Sequence, residues 1–127
     1  MERTVYVKSV SGSPLTTTPS EKTLLPFNAS LSTSGETSVI SAPGANVKIV
    51  IVSAVLQNVS STATTIKLLN GSSGTTLFEV LGQNQGDGLT VGPYPSDARP
   101  KLSANTALVA NLSGSNACKV SGWYYTE

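Results

Sequence analysis

Val47-Lys48-Ile49-Val50-Ile51-Val52-Ser53-Ala54-Val55-Leu56 is the longest apolar stretch of the chain, and its β-branched residues fall on both faces of an extended strand. Strict alternation sets Val47, Ile49, Ile51 and Val55 on one side and Val50, Val52, Ala54 and Leu56 on the other. A strand with two apolar faces must be covered twice. In an antiparallel sandwich only one face meets the core, so the second face predicts a covering arm or a neighbouring subunit. Lys48 and Ser53 interrupt the run, and it is too short to span a bilayer.

Strand signals continue downstream at regular spacing. Thr64 to Leu69 places Ile66 and Leu68 on one face and ends in Asn70-Gly71-Ser72-Ser73-Gly74, whose residues tolerate positive φ, so Thr75 to Leu81 is read as the returning strand of a hairpin. The Gln83 to Gly88 loop leads to Leu89-Thr90-Val91, and Gly92-Pro93-Tyr94-Pro95 forms another turn. Leu102, Ala107 to Leu112 and Ala117 to Tyr125 complete this part of the chain.

Upstream, Leu24 to Leu31 alternates Leu25, Phe27, Ala29 and Leu31 on one face, and Pro26 directs that strand to a sheet edge. Thr37 to Ile40 is a weaker strand, closed by the Pro43-Gly44 turn. Before these, residues 1–23 read as an extended N-terminal arm, with Pro14, Pro19 and the Thr16-Thr17-Thr18 run leaving little to bury. Within the arm, Val5, Tyr6, Val7 and Val10 form one short alternating segment suited to pairing with the sheet edge of a partner. Nowhere does apolar spacing hold the helical period. About eight short strands within 127 residues indicate one all-β domain over residues 24–127, and the strand pattern alone leaves sandwich, jelly roll and barrel open.

Composition narrows the chemistry. Lys and Arg number 8 against 7 Asp and Glu, scattered singly, so phosphate neutralisation along a nucleic acid is not expected. Met1-Glu2-Arg3-Thr4 opens no apolar leader, and the expectation is a soluble cytosolic product. With 0 histidines there is no Ser-His-Asp or Cys-His arrangement and no usual metal ligand set. Cys118, the 1 cysteine, reads as a small core residue rather than a nucleophile. Glu79, Asp87 and Asp97 are the carboxylates to consider for a glycosidase pair, yet each reads as a solvated strand or loop acid. Gly82, Gly86 and Gly88 lie between strands with no helix behind them to hold a phosphate. No catalytic residue, cofactor, metal or small-molecule substrate is expected. The C-terminal aromatics remain, with Trp123 and Tyr125 on one face and Tyr124 on the other beside Cys118 and Val120; a core or subunit contact is favoured over a ligand platform.

The Val-rich strand, the hairpin around Ile66-Lys67-Leu68-Leu69-Asn70-Gly71, the Gly92-Pro93-Tyr94-Pro95 turn, Asn105-Thr106-Ala107-Leu108 and the terminal Val120-Ser121-Gly122-Trp123-Tyr124-Tyr125 resemble small structural proteins of tailed bacteriophages. Among these the chain is most similar to capsid decoration, or cement, proteins. The resemblance implies a jelly-roll β-sandwich, three copies clamping adjacent major capsid proteins on the outer surface of a virion, synthesis in the host cytoplasm, and no enzymatic activity. Expected interface residues are Val5, Tyr6, Val7, Val10, Val50, Val52, Leu56, Trp123 and Tyr125. A carbohydrate- or receptor-binding module of a phage tail or baseplate, using the same scaffold and the terminal aromatics, is the alternative.

Overall fold

The computed structural model describes residues 22–127. The arm expected over residues 1–23, with Val5, Tyr6, Val7 and Val10, therefore lies outside the described residues except for its last two. Eight strands follow in order: β1 (Leu25–Leu31), β2 (Gly35–Ile40), β3 (Ile49–Asn58), β4 (Thr64–Asn70), β5 (Thr75–Gly82), β6 (Gly88–Val91), β7 (Leu108–Leu112) and β8 (Cys118–Thr126). No helix occurs among the described residues. The strands form two four-stranded sheets, ordered β1-β8-β3-β6 and β2-β7-β4-β5, and every pairing is antiparallel.

These orders follow from one long folded ribbon. β1 pairs β8, β2 pairs β7, β3 pairs β6 and β4 pairs β5, as when a chain is doubled back on itself at the β4–β5 turn. Rolling that ribbon brings β8 against β3 and β7 against β4, which closes both sheets. The result is the jelly-roll order, two interlocked Greek keys. Turn chemistry supports the doubling: Gly71 adopts φ +86° and Ser73 φ 56° in the loop that joins β4 to β5.

Between the sheets lies a core built from Phe27, Leu31, Ile49, Ile51, Leu56, Ile66, Leu68, Leu108, Leu112 and Val120, all buried. Each such side chain contributes about 1.5–3 kcal/mol by leaving water. β3 enters this core differently from strict alternation. Ile51 opposes Tyr124 and Ser53 opposes Trp123, although Tyr124 and Trp123 are adjacent, so Val52 is an inserted bulge residue. The bulge flips the phase of the strand. Ile49 and Ile51 point inward before it, Ala54 and Leu56 after it, and Val55 turns out to 38% exposure. The strand therefore does not keep Ile49, Ile51 and Val55 on one face, nor Val50, Val52, Ala54 and Leu56 on the other.

The second apolar face of β3 also finds its cover within the chain. β6 reaches only Ala54 to Gln57, which leaves the first half of the β3 edge unpaired by any strand. The β6–β7 connection takes that edge: Tyr94 N–H donates to Val52 O (2.9 Å), Ile51 N–H to Pro100 O (2.9 Å) and Leu102 N–H to Ile49 O (2.9 Å). Leu102, read as part of a strand, is a buried residue of this connection instead. On the outer side Val50, Val52 and Tyr125 form a small buried cluster. Arg99 lies 5.7 Å above the Tyr125 ring and Lys22 6.0 Å from it, and Arg99 is held by its Nε–H donating to Tyr94 O (3.0 Å).

Asn58 is fully buried at the end of β3, and its amide is saturated. Nδ2 donates to Thr62 O (2.9 Å) and Gly82 O (2.8 Å), while Oδ1 accepts from Ser60 N–H (2.9 Å) and Ser60 Oγ–H (2.8 Å). All four hydrogen-bonding positions of the amide are thus used, tying the β3–β4 turn to the end of β5 across the sandwich. Asn58→Asp is expected to lower stability by about 2–5 kcal/mol, because a buried carboxylate cannot donate to the two carbonyls and must face them. Urea unfolding followed by circular dichroism measures this, and a variant within 0.5 kcal/mol of the parent, on the order of an ordinary surface change, would contradict the role given to the amide.

Candidate functional site

The two outer faces of the sandwich differ in chemistry. Across the β2-β7-β4-β5 sheet a single row runs Glu36, Asn111, Lys67, Glu79, each residue the register partner of the next. This face is charged and polar, and cross-strand pairs of this kind suit a solvated surface. Glu36 is held by Ser72 Oγ–H and Ser73 N–H, each donating at 2.8 Å to one carboxylate oxygen.

The outer face of the β1-β8-β3-β6 sheet carries little charge. Pro26 and Ser53 flank Trp123 on the neighbouring strands, and Val55 opposes Ser121 one step along. Together with Asn28 they line an open depression of about 340 Å³. Trp123 is 47% exposed. Of the five large apolar residues exposed among the described residues, Leu24, Leu25, Val55 and Trp123 lie on this face or at the start of β1, with Leu81 apart on β5. Among the described residues charge gathers at the margins, as Lys119 at one end and Arg99, Lys22 and the Lys101–Glu127 pair near Tyr125 at the other.

Trp123 is aimed outward by its neighbours in sequence. Cys118, Val120 and Tyr124 face the core, so Lys119, Ser121, Trp123 and Tyr125 face out, as alternation in β8 requires. Gly122 falls on an inward position, where a Cβ would meet the Ser53 carbonyl oxygen and come within 2.7 Å of the Phe27 ring. The absence of a side chain there lets the β3 bulge and Phe27 close against β8. Phe27 and Tyr124 then pack at 6.2 Å between ring centroids, tilted by 56°.

Of the expected interface residues in the described part, Trp123 is the exposed one. Val50, Val52 and Leu56 are buried within this chain at 0%, 6% and 0% exposure, and Tyr125 at 6%. A partner can meet these four only if the chain that covers them moves. The cover supplied by residues 94–102 removes the need for a neighbouring subunit over β3.

The acids do not assemble. Glu79 stands on β5 opposite Lys67, and Asp97 lies in the β6–β7 connection. Asp87 caps its own turn, its Oδ2 accepting from Asn84 N–H at 2.9 Å while its N–H donates to Asn84 O at 3.1 Å. Among the described residues no three His, Cys, Asp or Glu side chains come together as a metal site. Lys101 and Glu127 form a 2.8 Å ion pair, whose hydrogen bond raises the Lys101 ammonium and lowers the Glu127 carboxyl from their usual ranges. The pair is intact between those two limits. It is lost as pH falls through the lowered Glu127 value or rises through the raised Lys101 value, and at this exposure its weight in stability is small.

No protein-family model matches the chain, and no curated protein matches it. Among solved structures, one similar chain comes from work describing Bacillus endospore appendages as a novel family of disulfide-linked pili; it is 15% identical, the match covers 90% of this chain and 98% of that chain, and the TM-score is 0.38.

Burial pushes the Cys118 thiol above its ordinary pKa, which favours the protonated, unreactive form. The folded chain therefore keeps this proton to higher pH than the unfolded chain, and the associated stability is present below the unfolded thiol pKa and declines above it. In native protein at pH 8 an aromatic disulfide reagent is expected to leave Cys118 unmodified for hours and to titrate one thiol promptly in denaturant. Stoichiometric reaction of the native protein within minutes would show the thiol to be accessible.

Proposed function

We propose that this chain is a structural protein of a virion, a capsid decoration or cement protein that binds the outer surface of a phage head and stabilises contacts between major capsid proteins. The observation that carries the reading is the outer face of the β1-β8-β3-β6 sheet, whose centre is free of charge among the described residues, with Trp123 half exposed beside Pro26 and Val55. An open apolar and polar surface without converging titratable groups suits a contact between proteins rather than turnover of a substrate. The jelly-roll order of the strands agrees with the fold that the resemblance to decoration proteins implies. Aromatic residues at the centre of such a face are where binding energy concentrates.

A carbohydrate- or receptor-binding module is the second reading, and one feature favours it. The Trp123 ring stands among Asn28, Ser53 and Ser121, polar side chains of the kind that accompany an aromatic platform in sugar recognition.

Trp123 is the 1 tryptophan of the chain, so its emission reports on this face alone. Trp123→Ser is expected to keep the folded circular dichroism spectrum while weakening decoration of heads lacking the protein by about tenfold to a hundredfold, the range of a central interface aromatic. Cosedimentation with such heads, from the virus whose genome encodes the chain, measures this. Unchanged decoration by the variant removes the face from the capsid contact. A blue shift of the parent's emission on a glycan panel, without binding to heads, would favour the second reading.

A further inference from the structure

We infer that the Tyr125 margin of the β1-β8-β3-β6 outer face, where Lys22, Lys48, Arg99 and Lys101 gather, docks an acidic patch on the surface of a partner protein. The inference rests on reading that face as the contact side of the protein, and it adds the charge that the partner carries there.

These four cations are far apart in sequence, and the fold brings them together. Of the described Lys and Arg residues only Lys67 and Lys119 lie elsewhere. Sheet register fixes where the four point. Val50 opposes Tyr125 on one side and Lys101 on the other, and residues opposed across a sheet share a face, so Lys101 lies on the outer side with them. Lys48 and Glu127 exchange both backbone hydrogen bonds, at 2.9 and 3.0 Å, which sets them opposite each other. Each is two residues from Val50 or Tyr125 and so faces outward as well. Arg99 and Lys22 stand over the Tyr125 ring, at 5.7 and 6.0 Å from its centroid. Lys22, Lys48 and Lys101 are exposed.

Among the described residues acids are fewer at this margin. Glu127 is paired with Lys101, and Asp97 lies in the same connection as Arg99. Glu36 and Glu79 belong to the opposite sheet, and Asp87 stands at the far end of β3, where its carbonyl accepts from Asn58 N–H. The hydrogen bond from Lys101, and after it the charges of Lys101, Lys22 and Lys48, hold the Glu127 carboxyl below its usual range, as expected of one acid among several cations.

The chemistry of the occupant follows. Cations gathered on one face repel one another in the free protein, and an anionic partner relieves that repulsion. Trp123 lies two residues before Tyr125 on the same face, so the cations form a charged rim beside an apolar centre, the anatomy of a contact between proteins. A nucleic acid fits less well. Tyr125 is 6% exposed and offers no ring on which a base could stack, and a continuous row of phosphates would meet Glu127 as well as the lysines. Carboxylates on a folded partner can oppose the lysines and leave Glu127 aside.

Fluorescence anisotropy with labelled poly-L-glutamate tests the patch without capsids. At about 50 mM salt, where screening is weak, the parent is expected to bind this probe, and at about 500 mM to release it. Lys22→Glu combined with Lys48→Glu, folded by circular dichroism, is expected to weaken binding about tenfold or more, whereas Lys67→Glu on the opposite sheet stays within about twofold of the parent. A parent that ignores the probe, an equal loss with Lys67→Glu, or tighter binding of a DNA duplex than of polyglutamate would each overturn the inference. Decoration of heads is read in parallel. A parent that binds polyglutamate but not heads keeps the acidic partner and loses the capsid reading, whereas decoration indifferent to the double substitution keeps the capsid reading and removes this patch from the contact.

Discussion

Pairing of β3 with β8, from Ile49–Thr126 at one end to Asn58–Cys118 at the other, holds the protein together. Within the β1-β8-β3-β6 sheet these two strands have the most buried residues, and every other element is placed by reference to their pairing. β1 and β6 attach to its two sides, the opposite sheet packs on its inner face, and the β6–β7 connection fills what β6 leaves open. The bulge at Val52 lets a strand with apolar residues at nearly every position satisfy this arrangement. By inserting one residue it keeps Ile49, Ile51, Ala54 and Leu56 inward while Val50 and Val52 are buried outside under Arg99 and the β6–β7 connection.

The two outer faces divide the remaining roles. On the β2-β7-β4-β5 side the row Glu36, Asn111, Lys67, Glu79 is well hydrated and has no need of a partner. The β1-β8-β3-β6 side combines an exposed tryptophan, a valine, a proline and short polar side chains, with charged groups gathered at its margins. Such a distribution concentrates exposed apolar area on one outer face of the sandwich and leaves the other polar.

Much of this was legible in the sequence, for identifiable reasons. Alternation located β1, β4 and β8, the apolar run of Val47 to Leu56 located β3, the Asn70-Gly71 loop located β5 as the returning strand, and Pro26 marked β1 as an edge because it lacks an N–H. The separation of Trp123 and Tyr125 from Tyr124 onto opposite faces followed from the same period. The bulge was not legible. Val50-Ile51-Val52 has the same β-branched character at each position, so no local signal marks the inserted residue, and every face assignment beyond it inverts. Nor was the cover over Val50 and Val52. It comes from residues more than forty positions away, in a Pro-rich connection whose path is set by backbone hydrogen bonds rather than by its side chains. Asn58 was hidden for a related reason: nothing in its local sequence sets it apart from the chain's other asparagines, and only the fold brings Gly82 O and Thr62 O to its amide.

The order of the strands in space bears on how the molecule is made. β8 is the last of the eight strands to be synthesised, yet it occupies an interior position in its sheet, between β1 and β3. Until Cys118 to Thr126 has emerged from the ribosome, β1 has no pairing partner and β3 shows the apolar row that β8 will take. A nascent chain in that state carries long unpaired strands, the form most prone to join edges with other copies. The β1-β8-β3-β6 sheet can therefore be completed only once its last strand is available, through pairings that are distant in sequence and slow to close.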